Sequence, residues 1–141
     1  MGRILAIDFG QKRSGIAVTD PLQLIANGLK TVESSRLVEF LKEYVSMEAV
    51  DCIVVGEPRD MHNEQSDASR FVEPFVRRLR DAMPGIKIER FDERFTSKMA
   101  FQSMIDAGLG KKRRQDKELV DTISATLILQ SYLNFIKNKR D

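Results

Sequence analysis

The 141-residue chain has one cysteine, Cys52, and one histidine, His62. A single cysteine cannot close an internal disulfide, and together the two residues fall short of the four ligands of a usual zinc site. Any metal must therefore be held by carboxylates. Long apolar runs are also missing: stretches such as residues 4–7 and 52–55 are far below the roughly 18 residues of a membrane span. The start, Met1-Gly2-Arg3-Ile4, carries one charge and then a short apolar run that reaches Asp8. It lacks the longer apolar segment of a secretory signal, which predicts a cytoplasmic protein with no membrane contact. No internal repeat or low-complexity segment is visible, and the composition excludes disordered and collagen-like chains.

What is present suits a globular domain. Hydrophobic residues make up 42% and charged residues 31% of a chain whose length matches one domain, taken as residues 1–141. The net charge of +2 hides a segregation: residues 1–75 hold 8 Lys/Arg against 12 Asp/Glu, and residues 76–141 hold 15 against 9. A basic second half points to an anionic partner such as nucleic acid, the alternative being a solvated charged face.

Periodicity predicts the elements. Residues 3–9 form a near-continuous apolar run, as in a strand buried on both faces, and after a polar turn residues 14–19 complete a β-hairpin. Residues 28–32 read as a third, shorter strand, to which residues 22–26 could equally belong, so its bounds stay open. Leu37, Leu41, Tyr44 and Val45 recur at helical spacing, with Ser34 or Ser35 placed to cap the start. Residues 51–56 and 86–91 read as further strands. Phe71, Phe75, Val76 and Leu79 mark a helix between them, with Pro74 an objection to its continuity. A helix from Thr96 to about Ala107 precedes a basic run, and a last helix over residues 118–137 has apolar residues almost all round, predicting burial. The order implies a mixed α/β domain: an antiparallel hairpin, then parallel strands joined by helical crossovers.

Three acidic positions stand out. Asp8 ends an apolar strand, where an uncompensated carboxylate is costly, and Gly10 follows it; ligands of α/β sheets bind at such strand ends. The alternative is a turn aspartate paired with Lys12 or Arg13. Asp121 lies between Ile128 and Tyr132 on the helical wheel, on a face with Ala125; the alternative is a first-turn aspartate favoured by the helix dipole. Asp92 and Glu93 adjoin past a strand, where neighbours point to opposite faces, so only one of them can share a site with Asp8. The alternative is surface pairing with Arg90 and Arg94. Carboxylates converging from two strand ends and a helix could hold Mg²⁺ or Mn²⁺, hard cations that prefer oxygen, and such ions serve phosphodiester cleavage. The segment Lys111-Lys112-Arg113-Arg114 could neutralise phosphates.

Four segments, Asp8-Phe9-Gly10-Gln11-Lys12-Arg13-Ser14-Gly15-Ile16-Ala17, Val54-Val55-Gly56-Glu57-Pro58, Asp92-Glu93-Arg94-Phe95-Thr96 and Val120-Asp121-Thr122-Ile123-Ser124-Ala125, together resemble the YqgF (RuvX) family over nearly the whole chain. The resemblance implies a ribonuclease H-like fold, a mixed five-stranded sheet flanked by helices. It also implies a bacterial protein first described as a Holliday junction resolvase and now linked to maturation of the 5′ end of pre-16S rRNA. Carried over by motif, the metal-binding and catalytic acids are Asp8, Glu93 and Asp121, with Mg²⁺ or Mn²⁺ as the implied cofactor. Lys12, Arg13, Arg94, Lys111, Lys112, Arg113 and Arg114 are then the expected contacts to structured RNA or branched DNA, with association to ribosomal precursor particles. Two positions depart from the family pattern: Glu57 stands where an apolar residue is usual, and Met61-His62-Asn63-Glu64 lacks the usual glycine. Asn63 is the residue there best suited to a left-handed turn.

Two other classes compete. Asp8-Phe9-Gly10 with Ser14 and Val18 is similar to the first phosphate-binding hairpin of actin-like ATPases and sugar kinases, but those need two such domains, and no second Asp-x-Gly hairpin follows. A non-catalytic RNA-binding assembly factor would keep the basic surface without using the acids.

Overall fold

The computed structural model describes residues 2–57, 69–92 and 117–140. Strands β1 (Arg3–Asp8), β2 (Arg13–Thr19), β3 (Ala26–Glu33), β4 (Val50–Glu57) and β5 (Lys87–Asp92) form one sheet in the order β3-β2-β1-β4-β5. The pairs β1–β2 and β2–β3 are antiparallel, while β1–β4 and β4–β5 are parallel. Helices α1 (Leu37–Met47) and α2 (Ser69–Ala82) follow β3 and β4 in the chain, and α3 (Lys117–Arg140) follows β5. The expected mixed sheet flanked by helices is what forms.

Strand alternation divides the core in two. Leu5, Ile7, Ile16, Val18, Ile53, Val55 and Ile88 face α1 and α2, packing on Leu37, Leu41, Val72, Phe75, Val76 and Leu79. The opposite face carries smaller side chains, Ala6, Ala17, Cys52 and Val54 with Ile4, against Ala125, Ile128, Leu129, Tyr132 and Leu133 of α3. Both faces of the central strands are thus dry, which explains why β1 and β4 are continuous apolar runs rather than alternating ones.

Four local expectations are revised. β3 spans Ala26–Glu33, which settles the open bounds by taking in Ala26 but not residues 22–25, and as an edge strand it is mostly exposed. Ser34 does not cap a helix: residues Ser34–Arg36 make a 3₁₀ turn and α1 starts without a side-chain cap. Its hydroxyl is committed elsewhere, as described below. Pro74, the sixth residue of α2, leaves the helix unbroken although it lies inside it and removes one rung of the ladder. Finally, α3 buries one face rather than its whole circumference, and Phe135 is 52% exposed.

Candidate active site

The parallel strands β1, β4 and β5 end together, at Asp8, Glu57 and Asp92, with Glu57 and Asp92 partners in the register. Phe9 is anchored on the α2 side, its ring stacked on Phe75 at 4.5 Å. By alternation Asp8 belongs with Ile4 and Ala6 on the opposite face, toward α3.

The turn after Asp8 is held by a closed ring of hydrogen bonds. The Ser34 hydroxyl donates to the Gly10 carbonyl at 2.5 Å and lies 2.8 Å from the Ser14 hydroxyl, while the Gly10 N–H donates to Ser14 Oγ at 3.4 Å. A serine has one hydroxyl proton. Because Ser34 spends its proton on Gly10, Ser14 must donate to Ser34, so the direction round the ring is fixed. The Ser34 N–H also donates to the Lys12 carbonyl at 2.9 Å. Both serines are buried. Gly10 itself is demanded by the tight turn, since a Cβ there would stand 2.5 Å from the Arg13 carbonyl oxygen.

Across the β1–β2 ladder Asp8 is paired with Gly15. The missing side chain at Gly15 is what lets α3 approach: a Cβ there would lie 2.0 Å from the Asp121 carbonyl oxygen and 3.0 Å from the Asp121 Cβ. Residues directly opposite on antiparallel strands have neighbouring Cβ positions on the same face, about 5 Å apart. Asp8 and Asp121 are therefore brought to one place, separated in sequence by more than a hundred residues, by a gap one methyl group wide. Asp121 is the fifth residue of α3, past the first turn, and Arg13 Nε donates to its Oδ2 at 2.5 Å. This ion pair, rather than the helix dipole alone, compensates the Asp121 charge. Arg13 and Asp121, with Gly10, Gln11 and Lys12, line an open cleft of about 320 Å³.

Of the acids expected from the sequence, Asp8 is the ladder partner of Gly15 and Asp121 is seated against that same glycine, while Glu93 lies outside the described residues. So do Arg94, Lys111, Lys112, Arg113, Arg114, His62 and the Asn63 loop. Lys12 and Arg13 both border the cleft. Among the described residues no set of three or more His, Cys, Asp or Glu side chains could hold a metal ion. The donor chemistry nonetheless fits a hard divalent cation: a carboxylate at the end of β1, Asp8, a carboxylate on α3, Asp121, seated against the partner glycine of Asp8, and a third carboxylate, Glu93, following β5 in the sequence.

The single thiol is elsewhere. Cys52, near the start of β4, lines a different cavity of about 380 Å³ with Asp51, Lys87, Glu89 and Tyr132. Burial, with the Glu89 charge adding to it, pushes the Cys52 thiol up to about 11, so it is no nucleophile at neutral pH. The Tyr132 hydroxyl donates to Glu89, and Lys87 Nζ is 2.8 Å from the same carboxylate. Both tyrosine and cysteine are held in their neutral forms.

Sequence reasoning missed the parts that position the acids. The Ser14–Ser34–Gly10 ring was hidden because Ser34 precedes a helix and reads as a cap. The role of Gly15 and the Arg13–Asp121 pair depend on a helix more than a hundred residues away, and no local signal reports them.

Comparison with known proteins bears on the family and the fold. The family model described as "RuvX: Holliday junction resolvase" matches residues 2–135. A protein of Flavobacterium psychrophilum named "Putative pre-16S rRNA nuclease" is 55% identical over 133 residues, 94% of this chain and 97% of its own. A protein of Phocaeicola vulgatus with the same name is 57% identical over 133 residues, 94% of this chain and 96% of its own. Among solved structures, T. thermophilus RuvC in complex with Holliday junction substrate superposes with a TM-score of 0.58 at 16% identity, covering 97% of this chain and 96% of that one. That likeness bears on the fold, which is ribonuclease H-like. With a family match over nearly its whole length and relatives above half identity, the chain belongs to the RuvX family.

Proposed function

We propose that this chain is a cytoplasmic, divalent-metal-dependent nuclease, a single domain over residues 1–141, that hydrolyses phosphodiester bonds in processing the 5′ end of pre-16S rRNA. The observation that carries the reading is the seating of Asp121 against Gly15, the ladder partner of Asp8 at the end of β1. The names of relatives above half identity support the rRNA substrate.

In this reading Asp8, Asp121 and Glu93 hold Mg²⁺ or Mn²⁺. Such ions, when bound, neutralise charge at the scissile phosphate and lower the pKa of water for in-line attack. The protein's own part is placement. Asp8 is fixed by its strand and by the ring at Gly10, Ser14 and Ser34, and Asp121 by the helix seated against Gly15. The choice of Glu93 over Asp92 rests on the family motif Asp92-Glu93-Arg94-Phe95-Thr96. Lys12 at the cleft, with Arg94 and residues 111–114, would meet the phosphate backbone, which carries most nucleic-acid affinity and makes it salt-dependent.

The test is a cleavage assay on a precursor 16S rRNA fragment and a four-way DNA junction side by side, with and without added Mg²⁺ or Mn²⁺. Metal-dependent cutting of the RNA supports the proposal. Cutting of the junction alone would give the physiological role to a resolvase, in keeping with the family's description. Binding of either without turnover would make the chain a non-catalytic assembly factor.

A further inference from the structure

The Arg13–Asp121 pair sits where a metal ligand would have to act. The guanidinium contacts Asp121 through Nε at 2.5 Å, and the two side chains are 36% and 20% exposed, so the pair is at the surface of the cleft and can open without unpacking the core. Arg13 is the first residue of β2 and lies two positions before Gly15, hence on the same face as the gap that separates Asp8 from Asp121. A fixed positive charge bonded to one carboxylate of a cation site opposes entry of a second positive charge at that carboxylate. Phosphate is the other natural partner of a guanidinium, whose planar fork matches it in geometry.

Resting on the metal-dependent reading above, we propose that Arg13 is an exchangeable counter-ion: it occupies Asp121 when no metal is bound, yields that carboxylate to the metal, and turns its freed guanidinium to the nucleic-acid phosphate. Metal and nucleic acid then bind cooperatively through one side chain. Each strengthens the other by the same factor, as linkage requires. The arrangement disfavours metal loading in the absence of nucleic acid. Arg13 is thus a positioning residue with a regulatory effect, distinct from Lys12 beside it, whose part is charge at the cleft.

The experiment is Mn²⁺ binding, followed by electron paramagnetic resonance of the free ion at fixed pH and salt, on the parent, Arg13→Gln and Arg13→Lys without nucleic acid. Removal of the charge in Arg13→Gln is expected to tighten Mn²⁺ binding by about fivefold or more, within the usual range of coupling between sites. Arg13→Lys, which keeps the charge, is expected to stay within about twofold of the parent. Equal or weaker binding by Arg13→Gln would overturn the proposal, showing that Arg13 orients Asp121 for the metal instead of competing with it. Tightening by Arg13→Lys equal to that of Arg13→Gln would overturn it as well. Asp8→Asn separates this failure from failure of the functional reading: if Asp8→Asn binds Mn²⁺ as the parent does, the metal site itself is wrong and the exchange falls with it.

Discussion

Substituting Gly15 by alanine probes how the fold builds the site. The added Cβ would stand 2.0 Å from the Asp121 carbonyl oxygen and 2.4 Å from its carbon. Both are backbone atoms of a helix, so no side-chain rotation relieves the overlap. Restoring ordinary contact requires α3 to withdraw by about 1 Å or more, against the packing of Ala125, Ile128 and Leu129 on the sheet. Overpacking of this kind costs about 1–3 kcal/mol, and backbone against backbone belongs at the upper end. The same withdrawal carries Asp121 away from Asp8, and a misplacement of about 1 Å at reacting groups costs about 100-fold in rate. The assays are urea unfolding followed by circular dichroism and metal-dependent cleavage at saturating metal. Gly28→Ala is the control, because its Cβ would meet Thr126 Oγ1 at 3.4 Å and Thr122 Cβ at 3.5 Å, ordinary contacts on the same helix. It is expected to fall within about 1 kcal/mol of the parent, on the stabilising side if the strand backbone gains from the loss of glycine freedom. If Gly15→Ala is as stable and as active as Gly28→Ala, the close approach of α3 does not set the site.

Two further outcomes follow from the groups around these acids. Ser34→Ala leaves the Ser14 hydroxyl without its acceptor and the Gly10 carbonyl without that donor, so a loss of about 1–3 kcal/mol is expected in urea unfolding, and a change below about 0.5 kcal/mol would mean the ring adds nothing net. Cys52, its thiol pushed up to about 11 by burial, is expected to resist alkylation at pH 7–8 until the chain unfolds. A raised thiol pKa favours the folded state below the unfolded value of 9.0, and this contribution is lost as pH rises from there through about 11. Rapid labelling of native protein at pH 7 would contradict that assignment.

The sheet was legible because its central strands are covered on both faces and must read as unbroken apolar runs; residues 3–9 and 51–56 both did so, and their neighbours fell into place. β3 was legible only in part, since an exposed edge strand needs little apolar pattern and its ends carry no signal. Asp8 announced itself as a charge closing an apolar strand, and Asp121 as a charge on the packed face of a helix. Their meeting could not be read. It depends on Gly15, which in sequence is one glycine among 8, and on Arg13, whose partner is 108 residues away. Ser34 was misread because the same residue type serves as a helix cap and as a buried link, and only the fold decides between them.

The most direct test of the central claim is the cleavage rate of Asp8→Asn on precursor 16S rRNA in saturating Mn²⁺ or Mg²⁺, with unfolding measured on the same preparation. Asparagine keeps the shape and removes the charge, so unchanged or slightly altered stability with cleavage lost by about 1,000-fold or more is expected for a residue on which charge stabilisation at the phosphate depends. Cleavage by a folded Asp8→Asn protein at the parent rate would contradict the claim that Asp8 and Asp121 form the hydrolytic centre.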